Sequence, residues 1–370
     1  MLIFHAEAPN GAGSLVRALA EARFELAERQ GAAFLAAGAD EAEIVAGPPD
    51  GLSFGERLAG AIRARSGGAA GGDVAAGGLI ALGSGSIPLA GAADLRRFVE
   101  VAAGPGGHAL ANNRYSADVV AVSGAADLAE LPPLPADNAL PRWLEERAGV
   151  AVADLRSSWR LGLDVDTPLD LLVLGGTVAR RIHVTAPLVG ERLAALADVL
   201  ANRRAELLVA GRVSATTLRW LESGVACRVR AFVEERGLRA ASLLAQSGAT
   251  TGSRPPRSVL GELLDRDGPE SLATIVAGLA DAAVIDTRVL LAHRHGADES
   301  MWPAAEDRFA SDLLLCESIA DPWLRALTES ATGSAASAPS PATGPILLGG
   351  HTLVNGGLRL LAQRARAGSK

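Results

Sequence analysis

Short apolar runs alternate along the chain with longer stretches whose apolar residues recur at helical spacing. In the first half the strand-like runs are residues 1–5, 43–46, 79–82 and 119–122. Between them, residues 15–30, 54–65, 92–103 and 140–147 repeat apolar positions every three or four residues, as a helix with one buried face does. The run at 79–82 is continuously apolar rather than alternating, the pattern of a strand covered on both faces. Glycine and proline punctuate the elements at 11–13, 47–51 and 104–107.

The pattern restarts in the second half. Residues 183–188, 205–213, 227–233 and 345–348 read as strands, and 189–204 and 214–222 as helices. Residues 281–293 read as one apolar strand interrupted by Asp286 and Arg288, which sit two apart and can pair on one face. This alternation predicts a second, parallel α/β layer structure of Rossmann-like type. A chain of 370 residues favours two domains. The expected junction is Gly175-Gly176-Thr177, giving domains 1–175 and 180–370. Small-residue stretches at 66–78, 246–256 and 333–341 read as connections.

Composition narrows the chemistry. Hydrophobic residues make up 49% of the chain and charged residues 21%, enough apolar material for real cores. The net charge of −7 speaks against a nucleic-acid partner, because phosphate contacts need clustered cations. Lys370 is the only lysine, so a P-loop lysine, a Schiff base and a lysine base are all excluded. Cys227 and Cys316 have neither metal-type spacing nor a disulfide framework. The N-terminus lacks the layout of a signal peptide, and no charge-free apolar stretch is long enough for a membrane span. A cytoplasmic protein without a membrane partner is the expectation.

Gly211-Arg212-Val213-Ser214 sits at a strand-to-helix junction, with Ser214 as its N-cap, and Glu234-Glu235-Arg236-Gly237 at the next strand end; together they can form a polar cleft at the carboxyl edge. Three further places carry candidate chemistry. His293 and His295, followed by Asp298 and Glu299, form a weak metal-type cluster. Gly349-Gly350-His351-Thr352 follows a buried run, as a ligand loop or as a tight capped turn. The third is the segment D-V-D-T-P-L-D-L from Asp164 to Leu171. In an extended chain, residues two apart face one side, so Asp164 and Asp166 can aim at one point. Thr167 then caps a helix, with Pro168 at its first position. Paired carboxylates suit Mg²⁺ with a bound phosphate; the plain alternative is a solvated acidic turn.

This segment resembles the D-x-D-T-P-E-D-L signature near the end of nucleotidyltransferases of the GT-A-like superfamily. That group includes the MobA-like enzymes and the CofC-type phospholactate guanylyltransferases. Two upstream segments follow in the same order. Gly78 to Leu89, G-L-I-A-L-G-S-G-S-I-P-L, is similar to the family's hydrophobic strand followed by D-x-P-L. Ala109 to Val122, A-L-A-N-N-R-Y-S-A-D-V-V-A-V, takes the place of its small-polar acceptor segment.

The resemblance covers residues 1–175 and implies a GT-A-like, mainly parallel sheet flanked by helices. It implies that Asp164 and Asp166 are catalytic and hold Mg²⁺. Gly83, Ser84, Gly85 and Ser86 would lie under the nucleotide or acceptor, and Asn113, Arg114 and Ser116 would read the acceptor. Arg57 would touch phosphate or base, or is a solvated helix arginine. The implied reaction moves a nucleoside monophosphate, GMP favoured, from a nucleoside triphosphate to a small phosphorylated acceptor. A homo-oligomer stays open. Two departures matter. Ser86 stands where the resemblance implies an acid, and residues 9–13 keep glycines without Lys or Arg. Either Asp164 and Asp166 hold the metal alone, or the fold keeps binding without catalysis and any activity lies in the second half.

Overall fold

The computed structural model describes residues 1–66, 77–134, 137–175, 186–234, 256–333 and 344–368. Contacts divide the chain into two compact units. One comprises Met1–Ala12 and Arg17–Val165, the other Gly13–Val16 and Asp166–Lys370.

In chain order the first unit contains β1 (Leu2–Ala6), α1 (Ser14–Ala36), β2 (Glu43–Gly47), α2 (Phe54–Ser66) and β3 (Leu79–Gly83). It continues with α3 (Ala92–Ala102), β4 (His108–Ala111), β5 (Val119–Val122), α4 (Leu140–Glu146) and β6 (Ala151–Asp154). The strands form one sheet in the order β2-β1-β3-β5-β4-β6. β1 is parallel to β2 and β3, and β4 to β6, while β5 is antiparallel to both its neighbours. The sheet is therefore mixed. The connection from Ala111 to Val119 is too short for a parallel crossover, which needs a dozen or more residues. Ile3, Phe34, Ile80, Leu82, Phe98 and Leu110 pack the core between sheet and helices. Helix α1 runs past its expected end at residue 30 because Phe34 continues the buried face.

The second unit contains α5 (Pro168–Leu174), α6 (Pro187–Ala201), β7 (Glu206–Gly211), α7 (Ala215–Gly224), β8 (Arg228–Val233), α8 (Val259–Asp267) and α9 (Leu272–Ala277). Then come β9 (Ala282–Asp286), α10 (Thr287–His295), α11 (Ala305–Asp312), α12 (Pro322–Thr332), β10 (Ile346–Gly349) and α13 (Leu358–Gly368). Among the described residues its strands are all parallel, in the order β10-β9-β7-β8, as the alternation predicts. β9 and β10 are buried throughout, matching their continuous apolar sequence.

Two expected elements change. Of the strand expected at 183–188, residues 183–185 lie outside the described residues, and Pro187 and Leu188 open α6. Proline suits a first helical turn, where its missing N–H breaks no bond. The run at 281–293 is a strand that ends at Asp286 and a helix that starts at Thr287. Both are so deeply buried that their apolar runs join without a visible change of period. Gly176, Thr177 and the connections at 67–76, 246–255 and 334–341 lie outside the described residues.

Candidate functional site

The first sheet reverses its strand order at β1, which leads to β2 on one side and to β3 on the other. Crevices at the carboxyl ends of strands flanking such a reversal are where open α/β sheets bind ligands. The loop at 83–86 lies there. The Ser84 N–H donates to the Phe4 carbonyl (2.9 Å), and the Ser84 hydroxyl meets His5 Nδ1 at 3.1 Å. Ser86 Oγ donates to the Asp118 carbonyl at 3.0 Å.

The acidic segment reaches this loop. Ser86 pairs with Asp164 in an antiparallel bridge, and the Val165 N–H donates to the Gly85 carbonyl at 2.9 Å. A β-carbon on Gly85 would lie 2.7 Å from the Val165 oxygen and 2.8 Å from Arg23 Nε, so only glycine fits. A β-carbon on Gly83 would sit 3.9 Å from Asp137 Oδ2. Asp164, Ser84 and Ser86 are buried. His5 is buried too; burial, then the Arg23 charge, pull its pKa below the ordinary 6.5. The ring is therefore mainly neutral at pH 7. His5, Arg23 and Asp137 are groups that sequence reasoning did not single out, because helix and loop positions far apart in sequence bring them here.

The other candidates of this unit bind their own surroundings. Asn113 Oδ1 accepts from the Tyr115 N–H (3.0 Å), and the Ser116 N–H donates to the Asn113 carbonyl (3.2 Å). Arg114 pairs with Glu145, and its guanidinium carbon lies 5.4 Å from the Tyr115 ring centre. Arg57 pairs with Asp50 at 2.6 Å and donates to the Leu52 carbonyl at 3.3 Å. Among the described residues, no hydrogen bond or ion pair joins these four to loop 83–86. Asn112 is buried and donates to Asp118 and to the Leu161 carbonyl, each at 2.8 Å.

In the second unit Thr167 caps α5 as expected. The Thr167 hydroxyl accepts from the Asp170 N–H (3.3 Å), while Asp170 accepts from the Thr167 N–H (2.8 Å). The third acid of the motif is thus a capping group. Asp166 is exposed, and a carboxylate oxygen of it lies within 4.8 Å of a ring nitrogen of His351. The amides of Leu15 and Val16, which open α1, donate to the Glu306 carboxylate at 3.0 and 3.1 Å. A carboxylate therefore already takes the amides that a phosphate would need there.

The second sheet reverses its order at β7, which leads to β8 and then across to β9. Its carboxyl edge is ionic. Arg212 Nε donates to Asp286 Oδ2 at 2.8 Å, and Asp286 Oδ1 accepts from the Arg288 N–H at 3.2 Å. Burial opposes the Asp286 charge, but Arg212, then His351 and Arg288, hold its pKa below the usual carboxylate value. Arg288 pairs instead with Asp312, Nη2 to Oδ2 at 2.6 Å, both side chains being buried. Burial works against the Arg288 charge, and Asp312 more than offsets it, raising the pKa above the arginine range.

The local pairing expected between Asp286 and Arg288 is therefore not made. Asp286 caps α10, so its side chain turns over that first turn, and Arg288 points into the helix packing. The histidine metal cluster also fails. His293 Nδ1 accepts from the Ser258 N–H (3.0 Å), and Nε2 meets Asp265 Oδ2 (3.1 Å), so both ring nitrogens are engaged. His293 and His295 line a depression of about 650 Å³ with Arg257, Asp265 and Arg294.

Comparison with known proteins returns no matching family model, no matching curated protein and no matching solved structure. Among the described residues, no helix is long and apolar enough to cross a membrane. Both cysteines are free thiols, Cys227 buried and Cys316 half-buried.

Proposed function

We propose that the chain is a nucleotidyltransferase-like enzyme. It transfers a nucleoside monophosphate, GMP favoured, from the triphosphate to a small phosphorylated acceptor with Mg²⁺. The first unit is then GT-A-like and the second Rossmann-like. One observation carries this reading: Ser86 pairs with Asp164, which sets the acidic segment beside the glycine loop at the reversal of the first sheet.

The carboxylates of Asp164 and Asp166 are the hard oxygen donors that Mg²⁺ prefers, so the donor set fits that ion. When bound, Mg²⁺ supplies charge neutralisation for the transferring phosphate. The chain's own groups do the rest. Gly83 lets a phosphate approach the backbone closely, and Gly85 lets the acidic segment pack against the loop. Arg23, against Gly85, is a cation within the crevice. Largely neutral His5 holds Ser84 without adding full charge. Asn113, Arg114, Ser116 and Arg57 contact the acceptor or nucleotide by exchanging their present partners.

A second reading keeps the fold and loses the catalysis. It is favoured by Ser86, whose hydroxyl replaces an acid and is turned to the Asp118 carbonyl. Any activity then lies in the second unit.

Calorimetry of the full chain with GTP, ATP and CTP, with and without Mg²⁺, tests the main reading. Magnesium-dependent binding of one nucleotide, lost in Asp166→Ala, is the expected result. A folded protein that binds none of the three removes the proposal. Nucleotide binding without pyrophosphate release, when acceptors are offered, moves the assignment to the second reading.

A further inference from the structure

The reversal point of the second sheet holds a partly exposed arginine. Arg212 directly follows β7 and its side chain is 23% exposed, while its partner Asp286 is 0% exposed. The carboxylate takes the Nε edge of the guanidinium at 2.8 Å. Among the described residues, no hydrogen bond uses the two terminal amino groups of Arg212. A guanidinium held on one edge presents the other as a rigid fork, the geometry that matches two oxygens of a phosphate.

The surrounding loop is fastened. Gly211 has φ +130°, and a β-carbon there would lie 2.3 Å from Asp286 Cβ, so the chain passes tightly over the buried acid. Asn355 ties this loop to the segment after β10. Its Nδ2 donates to the carbonyls of Arg212 (2.9 Å) and His351 (2.8 Å), and its Oδ1 accepts from the Ser214 N–H (2.8 Å). Ser214 then caps α7, a helix of ten residues. Ser214 and Ala215 are exposed, so the positive end of that helix faces solvent beside Arg212. Fork, helix end and reversal point coincide at one carboxyl edge.

We propose that Arg212 and the start of α7 bind the phosphate group of a small anionic ligand, with Asp286 as the residue that positions the guanidinium. The site lies wholly in the second unit and goes beyond the Mg²⁺-nucleotide reading. It needs no metal.

The test is calorimetric titration of the full chain with inorganic phosphate, in a chloride buffer containing EDTA. Saturable binding at one site is expected. Arg212→Lys keeps the charge but loses the fork, and should weaken binding roughly tenfold or more. The EDTA keeps divalent cations away, so binding in this buffer is separated from the magnesium site. Absence of saturable binding up to about 10 mM phosphate overturns the proposal. So does equal affinity in Arg212→Lys with an unchanged circular dichroism spectrum. If that variant does not fold, Asn355→Ala takes its place: untying the loop should weaken phosphate binding, and unchanged affinity overturns the site.

Discussion

At the reversal point of the first sheet, hydrogen bonds of neutral groups help to hold loop 83–86. His5 meets Ser84, and Ser86 donates to a backbone carbonyl. At the reversal point of the second sheet the contacts include ion pairs. Arg212 pairs with Asp286, and Arg288 with Asp312, with both acids fully buried. The same topological position is built in two ways. Small neutral residues cost little to bury and leave the backbone accessible. Buried ions carry a large desolvation penalty and persist only with well-placed partners, so each member depends on the other. Apart from Gly85, the first edge should tolerate substitution better than the second.

The largest expected effect tests that dependence directly. Asp312→Ala strands the buried Arg288 charge and should cost about 3–5 kcal/mol. Ser86→Ala removes one neutral hydrogen bond and should cost about 1 kcal/mol. Urea denaturation of the two variants measures both, and equal losses would break the comparison. Replacing the pair together, as Arg288→Met with Asp312→Leu, should be less damaging than Asp312→Ala, because no charge is left buried.

A matched pair of glycines gives the next effect. Gly211→Ala places a β-carbon 2.3 Å from Asp286 Cβ at φ +130° and should cost about 1–3 kcal/mol. Gly83→Ala meets Ser86 Oγ at 3.2 Å and Asp137 Oδ2 at 3.9 Å, and should cost less than about 1 kcal/mol. Thermal melts of the two variants compare the edges at one kind of substitution.

The smallest effect is pH dependence. The His5 pKa is lowered on folding, so the unfolded chain binds more protons than the folded one as pH falls below 6.5. Stability should therefore decline on acidification from pH 7 toward the depressed folded value, and His5→Gln should flatten that decline. The Asp286 pKa is also lowered, but from 3.8. Its contribution is present above that value and lost only as pH falls through the folded one. A melting series from pH 7.5 to 5 on both His5→Gln and Asp286→Asn should show the slope changing in the first variant alone.

Much of the fold was legible because burial leaves a local trace. Strands β3, β5 and β10 are continuous apolar runs, and Thr167-Pro168 marks a helix start by its own chemistry. Strands β4 and β6 were not legible. Each has four residues, too few for a period, and β6 lies at a sheet edge with alternate residues exposed. The border between β9 and α10 was hidden because both sides of it are buried. Of the candidate site, the loop at 83–86 and its neighbour Asp164 were visible as motifs. Arg212 was visible as part of a polar strand-to-helix junction, but its partner was not. Arg23, Asp137 and Asn355 were not marked as site residues, since a lone charged or amide residue looks the same in a solvated loop.

By itself the sequence determined the continuous apolar strands, the helix start at Thr167-Pro168, that the second unit carries a parallel layer, and that lysine chemistry is excluded. Those properties depend on residues within a few positions of one another. Only the tertiary structure decided that β5 runs backwards, that Ser86 sits opposite Asp164, and that Asp286 pairs with Arg212 rather than with Arg288. Arg212 and Asp286 are 74 residues apart, and Arg288 and Asp312 are 24 apart. Which charges meet over such distances is set by strand order and register. A buried charge then takes the partner that the packing brings within reach, because leaving it unpaired costs more than any local preference.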